Sequence, residues 1–159
     1  MEEQNLQQAR VALDTVCAMF DDRDWRYEKD VENLEVRCKA TGDDLPIDIR
    51  FKVDAKREVV MFLSSLNFNV PEEKRAELSV ATNIINNAIV AGSFDYSYQN
   101  GTIAFRLVNS YCDSLISKEV YDYMLVVGCQ TVDEYNDKLL MICKGVMSLE
   151  DLSKFIGEE

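Results

Sequence analysis

The 159-residue sequence contains no histidine and only 6 glycines and 2 prolines. Without histidine the chain cannot form a Ser-His-Asp or Cys-His hydrolytic site, a histidine-ligated zinc or non-haem iron site, or an imidazole proton shuttle. The few glycines and prolines, together with 47% apolar residues, are typical of a folded chain and not of a disordered one. The composition predicts a single domain over residues 1–159 and favours a binding protein over an enzyme.

Positive charge is also scarce. The chain has 17 Lys and Arg residues against 29 Asp and Glu residues, which gives a net charge of −12. An acidic surface repels nucleic acid phosphates and anionic lipids, so we expect neither nucleic acid nor a membrane as a partner. Uninterrupted apolar runs such as Val59–Leu63 are far shorter than the roughly 20 residues that span a bilayer.

Closely spaced cysteines and glycine-rich phosphate motifs are missing as well. None of the five cysteines forms a C-x-x-C pair for zinc or redox chemistry. The acidic stretch 21–32 fails the calcium-loop pattern because Arg26 occupies the position that requires glycine. The sequence thus predicts no catalytic residue, no metal site and no cofactor. Its start, MEEQNLQQAR, lacks a basic segment followed by an apolar one, so we expect no secretory leader and a cytoplasmic protein with reduced thiols.

Hydrophobic periodicity predicts the order of the elements. Apolar residues at three- and four-residue spacing indicate a helix that ends near Phe20. Alternating apolar and charged residues then indicate strands over 34–40 and 46–53, and a further strand begins at Val59. A second helix opens at Pro71, a hairpin follows, and the remainder is helical. The pattern predicts an α+β fold in the order α-β-β-β(-β)-α-β-β-α-α, with a twisted antiparallel sheet that has one solvent-exposed face.

The hairpin and the last helices carry specific turn signals. The Asn-Gly pair at 100–101 indicates a two-residue type I′ turn, which places Tyr96 opposite Phe105 and Asp95 opposite Arg106.

Glycine and capping residues divide the C-terminal third. Ser117 is a cap for a helix that Gly128 is expected to interrupt, and Thr131 is expected to start the next helical segment. Ser148 and Asp151 predict the start of a short last helix.

The strand that begins at Val59 is apolar on both faces. Met61 and Leu63 lie on one side with Val59, and Val60 and Phe62 lie on the other. Either a helix of the same chain covers the second face, or that face is an exposed patch at a subunit or partner interface. The functional hypothesis assigns Val60 and Phe62 to such an interface.

Three asparagines follow the apolar stripe of the second helix. Asn83, Asn86 and Asn87 are either ordinary helix surface or polar groups that pair across a dimer interface. Asn86 is the third candidate interface residue.

The stretch from Val70 to Gly145 contains the strings VPEEKRAELSVATNIINNAIVAGSFDY, NGTIAFR and SKEVYDYMLVVGCQTVDEYNDKLLMICKG. With these strings the sequence resembles the YbjN family of small bacterial proteins. The matching residues are Pro71, Arg75, Asn83, Asn86, Gly92, Phe94, Gly101, Arg106, Tyr135 and Gly145.

The resemblance implies a fold similar to the type III secretion chaperones, in which helices pack on one side of a twisted antiparallel sheet. It also implies a noncatalytic protein, described for the family as a proposed sensory transduction regulator, with a fold that commonly dimerises. Secretion chaperones of this shape are small and acidic and hold extended segments of client proteins. An acidic sheet with apolar strips would receive a basic, partly hydrophobic segment by strand addition or in grooves.

We therefore expect a cytoplasmic homodimer that binds another polypeptide, as a regulator or as a secretion chaperone. The alternative is a small-ligand sensor or a histidine-independent enzyme that uses carboxylates and tyrosines such as Tyr96, Tyr98 or Tyr123. A cysteine nucleophile would need a nearby Lys, Arg or helix N-terminus, and Cys112 and Cys129 lie near predicted turns.

Overall fold

The computed structural model describes residues 2–114 and 116–157. The helices are α1 (Glu2–Asp22), α2 (Arg75–Ala88), α3 (Lys118–Cys143) and α4 (Leu149–Gly157), and a short 3₁₀ turn, Glu72–Lys74, precedes α2. The strands are β1 (Glu28–Asp30), β2 (Glu35–Thr41), β3 (Pro46–Asp54), β4 (Val59–Ser65), β5 (Ser93–Ser97) and β6 (Thr102–Ser110). They form an antiparallel sheet in the order β1-β2-β3-β4-β6-β5. The predicted fold class and element order are confirmed.

The sheet has one covered and one uncovered face. On β3 the apolar residues Ile47, Ile49, Phe51 and Val53 are buried, whereas the charged residues between them remain partly accessible. This alternation places the apolar set against the helices, because successive side chains of a strand point to opposite faces. The α1 helix packs against β2 and β3, α3 packs against β3, β4 and β6, and α2 packs against β5. The helices thus build the core on one side of the sheet.

A row of aromatic rings runs through this core from Phe20 of α1 to Phe155 of α4. Each successive pair of rings has centroids between 5.2 and 6.2 Å apart in an edge-to-face arrangement. Edge-to-face pairs add about 0.5 to 1.5 kcal/mol each beyond the area that they bury. The rings are, in order, Phe20, Phe51, Phe62, Phe105, Phe94, Tyr135 and Phe155.

The hairpin between β5 and β6 has a different register from the one predicted. Phe94 lies opposite Phe105 and Asp95 lies opposite Ala104, so the strands are shifted by two residues and the connection spans 98–101. Contacts outside the hairpin explain the longer loop. The Val70 amide donates to the Gly101 carbonyl at 2.8 Å, and a Cβ at Gly101 would lie 2.4 Å from the Val70 carbonyl oxygen.

A shift of two residues keeps every side chain on its predicted face. The Arg106 Nε atom still donates to Asp95 Oδ2 at 2.6 Å, now diagonally across the strand pair. The predicted ion pair is therefore confirmed although its register was wrong.

The α3 helix is continuous through Gly128, so the predicted interruption is wrong. A Cβ at this position would lie 2.5 Å from Cε1 of Phe62, which shows that glycine is needed for close packing of helix on sheet. The start of α4 agrees with prediction, because the Asp151 amide donates to Ser148 Oγ and the Ser148 amide donates to Asp151 Oδ2. Neither α3 nor another helix within the described ranges is long and apolar enough to cross a bilayer.

Candidate functional site

Val60 and Phe62 lie on the covered face of β4 and are fully buried in the core. The α3 helix covers them, and Gly128 lies directly against the Phe62 ring. The expectation of an exposed apolar patch at these two residues is therefore wrong. The alternate residues of the strand, including Met61 and Leu63, are the ones that point outward and remain half-buried.

Asn86 connects α2 to the edge strand β5. Its Nδ2 group donates to the Phe94 carbonyl at 3.0 Å, and the Phe94 amide donates to Asn86 Oδ1 at 2.7 Å. The side-chain amide thus pairs with the strand backbone as a neighbouring strand would. This internal role differs from plain helix surface, and a role of Asn86 in a dimer interface stays a prediction.

Of the tyrosines proposed for a pocket, Tyr96 and Tyr98 line one shallow depression beside α2, and Tyr123 does not line it. Tyr98 and Tyr123 are more than half exposed on separate elements, and Tyr96 is partly buried on β5. Burial raises the pKa of Tyr96, so its hydroxyl stays protonated at neutral pH.

The cysteines have no features of activated nucleophiles. All five are unpaired. Burial raises the pKa of Cys129 to about 12 and that of Cys38 to about 11, and nearby Glu58 raises the pKa of the exposed Cys112. Nucleophilic thiols require the opposite shift. No group of three or more Cys, Asp or Glu side chains that could hold a metal ion occurs among the residues that the structure describes.

The uncovered side of the sheet, here called the open face, mixes charged and apolar residues. Its centre is an apolar strip in which Met61 of β4 lies opposite Val108 of β6. Leu63 continues the strip and lies between Arg50 on β3 and Arg106 on β6. The open face includes the outward side chains Glu28, Asp30, Glu35, Arg37, Lys39, Asp48, Arg50, Lys52, Asp54, Val59, Met61, Leu63, Ser65, Asp95, Arg106 and Val108.

A buried carboxylate organises the cations beside this strip. The Glu35 side chain is 4% exposed and accepts hydrogen bonds from Arg37 Nη2 at 2.6 Å and from Lys52 Nζ at 3.0 Å. Arg50 Nη1 lies 4.0 Å from the same carboxylate. Burial acts to raise the pKa of Glu35, but the hydrogen bonds from Arg37 and Lys52 outweigh it and lower that pKa below its ordinary value. Glu35 therefore orients Arg37 and Lys52 by hydrogen bonds and attracts Arg50 by charge alone.

These cations continue into a cleft of about 530 Å³ at the β1 end of the open face, here called the cationic cleft. Clefts that take small molecules or side chains have volumes in this range. Four cations and two carboxylates line it, so its wall is positive within a chain of net charge −12. Its lining includes Arg26, Arg37, Lys39, Arg50, Glu28, Asp48, Tyr27 and Leu63.

An open strand edge adjoins the cationic cleft. Strand β1 pairs with β2 only from Glu28 opposite Arg37 to Asp30 opposite Glu35. The remaining β2 residues 38–41 have no strand partner on this side among the described residues. Such an edge presents free backbone donors and acceptors to an added strand. The open face thus combines an apolar strip, a cationic cleft and an edge for strand addition.

Comparison with known proteins identifies a family and a solved structure that are similar to this chain. The model of the YbjN family, described as "Putative bacterial sensory transduction regulator", matches residues 12–141. A crystal structure of YbjN from E. coli, described there as "a putative transcription regulator", superposes with a TM-score of 0.58 at 12% identity, over 79% of this chain and 92% of that one. This likeness shows a shared fold. No protein with a curated function matches the sequence significantly. Because the family match takes in most of the sequence, the chain belongs to the YbjN family.

Proposed function

We propose that this protein is a noncatalytic regulator that acts by binding another polypeptide on the open face of its sheet. The observation that carries the proposal is that the helices cover one face only, while Met61, Leu63 and Val108 remain accessible on the other. Apolar groups framed by charged residues are typical of protein contact surfaces. The family description as a sensory transduction regulator supports this proposal.

The charge of the cationic cleft suggests an acidic partner segment in place of the basic one expected from composition. Arg26 forms no ion pair or hydrogen bond with another described residue, and Arg50 reaches only a carboxylate that Arg37 and Lys52 already occupy. Carboxylates of an extended segment would complement these guanidinium groups as that segment pairs with β2. The net charge of −12 opposes the binding of an acidic segment only weakly, because salt screens charges that lie more than about 8 Å from the segment.

Protein capture from native lysate with matched variants tests the proposal. Leu63→Asp places a charge in the apolar strip without touching the core, and Val11→Asp is the control on an exposed position of α1. We expect a saturable protein partner that binds the wild type and Val11→Asp but not Leu63→Asp. A partner that Leu63→Asp retains would contradict the proposal, as would copurification of a metabolite without any protein.

A further inference from the structure

A second cavity lies on the covered side of the sheet, between the end of β4 and the C-terminal half of α3. Its volume is about 220 Å³. The rim of the cavity is partly exposed and consists of Leu45, Pro46 and residues 66–68. The apolar wall consists of Val132 and Leu140 of α3. The lining of the cavity shares Ser65 with the cationic cleft and includes no charged residue of the open face.

Two buried polar side chains stand in the wall of the cavity. Asn136 is 2% exposed and Ser64 is 1% exposed. Neither the amide oxygen and nitrogen of Asn136 nor the hydroxyl of Ser64 has a hydrogen-bond partner among the described residues. Buried polar groups in native proteins are nearly always hydrogen-bonded, so these groups call for a partner from outside the chain.

The lining defines the chemistry of that partner. No charged side chain lines the cavity, so a charged ligand would lose its hydration without gaining a counter-charge. A carboxamide offers one acceptor and one donor side by side, which complements another amide, a lactam or a urea. The apolar remainder of such a ligand would contact Val132, Leu140 and Phe68. The volume is below the 300 to 1,000 Å³ of typical pockets for drug-sized molecules, which restricts the ligand to a small molecule.

We propose that this cavity binds a small neutral molecule with an amide-type donor and acceptor, which hydrogen-bonds to Asn136 and Ser64. The site adjoins the cationic cleft at Ser65 but uses different polar groups, so it does not depend on a polypeptide contact on the open face. It also differs from the carboxylate and tyrosine sensor considered from sequence, because Tyr96, Tyr98 and Tyr123 do not line it.

Titration of the full chain with benzamide, followed by NMR, tests this proposal. We expect saturable shifts confined to Asn136 and the cavity wall, and at least tenfold weaker binding of toluene, which has the ring but lacks the amide. Asn136→Leu removes the amide at similar volume and should weaken benzamide binding at least tenfold. It should still fold, because it replaces a buried polar group without a protein partner by an apolar one. Asn83→Leu on the exposed side of α2 is the matched control and should bind as the wild type does.

Three results would overturn the proposal. The first is a set of benzamide shifts that do not saturate or that scatter over the surface. The second is equal benzamide binding by the wild type and Asn136→Leu. The third is a high-resolution crystal structure of the protein crystallised with benzamide, in which only ordered water bridges Asn136 and Ser64. Capture of a polypeptide by the open face is a separate readout, so failure here leaves that proposal standing.

Discussion

Glu35 shows how a charged residue on the outer side of a sheet becomes part of the structure. Its carboxylate is buried, whereas its partners Arg37, Arg50 and Lys52 are each more than 40% exposed. Removal of the carboxylate leaves cations that water can solvate, so the cost should stay below that of a fully buried broken ion pair. Glu35→Gln should lower the free energy of unfolding by about 1 to 3 kcal/mol at pH 7.

The stabilisation by Glu35 should depend on pH. The pKa of Glu35 is lowered in the folded protein, so its contribution is complete above the ordinary glutamate pKa of about 4.3 and is lost as the pH falls through the folded pKa. Urea unfolding of the wild type and Glu35→Gln at several pH values should show the difference shrinking below pH 4.3. Asp95→Asn removes an exposed pair and should cost only about 0.2 to 1 kcal/mol. A difference for Glu35→Gln that persists unchanged at acidic pH would contradict this account.

Phe62 and Leu63 are neighbours on opposite faces of β4 and form a natural test of the face assignment. Phe62→Ala removes a fully buried ring from the row of aromatic rings and should cost about 3 to 5 kcal/mol. Leu63→Ala removes a half-buried side chain and should cost clearly less. Urea unfolding of both variants measures the two free energies, and equal losses would show that the assignment of the covered face is wrong.

At the scale of one element, Gly128 allows α3 to pack close to the sheet. Alanine in place of glycine normally favours a helix by about 1 kcal/mol. At Gly128 the added Cβ would meet the packed Phe62 ring at 2.5 Å, and overpacking of this kind costs about 1 to 3 kcal/mol. Gly128→Ala should therefore destabilise the chain despite its higher helix propensity.

Gly157 provides the matched control for this prediction. It lies at the end of α4 with nothing within 4 Å of an added Cβ. Gly157→Ala should leave the melting temperature unchanged or raise it slightly, whereas Gly128→Ala should lower it. A melting temperature that rises for both variants would show that α3 can move away from β4 at little cost.

Asn86 links two elements, and its removal separates a structural role from an interface role. Asn86→Ala leaves the Phe94 amide and carbonyl without their side-chain partner, which should cost about 1 to 3 kcal/mol. Asn83→Ala, one turn earlier and exposed, should cost almost nothing. Urea unfolding measures the loss, and size-exclusion chromatography measures the assembly state. Dissociation of an oligomer without loss of stability would favour the interface role.

Local sequence patterns determine most elements of this fold. The strict alternation in β3 predicts both its existence and its covered face, because no competing pattern occurs in that stretch. The β4 stretch is apolar on both faces, so periodicity alone could not choose between Phe62 and Leu63. The choice depends on the approach of α3 at Gly128, a contact between residues far apart in sequence.

Long-range contacts also explain the wrong hairpin register and the unexpected site. The Asn-Gly signal at 100–101 predicts a short turn, but the backbone bond between Val70 and Gly101 selects a longer loop. The cationic cleft combines residues 26 to 28 with residues of β2 and β3, which no single motif brings together. Asn136 and Ser64 are far apart in sequence and line the same cavity only because α3 packs on β4.

The whole molecule distributes its charge unevenly. The count of 17 basic and 29 acidic residues predicts an acidic surface, but it carries no information on where the basic residues gather. The register of β2, β3 and β6 places Arg37, Arg50 and Arg106 on one face beside the apolar strip. We therefore propose that an acidic partner segment binds at the cationic cleft, whose lining holds four cations and two carboxylates.

Hydrogen exchange, measured with and without the captured polypeptide, tests whether that polypeptide binds on the open face. Binding on the open face should slow amide exchange at the β2 residues 38–41 and at the edge of the cationic cleft around Arg26. It should leave exchange unchanged on the outer surfaces of α1 and α4, which lie on the opposite side of the sheet. Slower exchange on those helices, with the β2 edge and the cleft unchanged, would contradict the account.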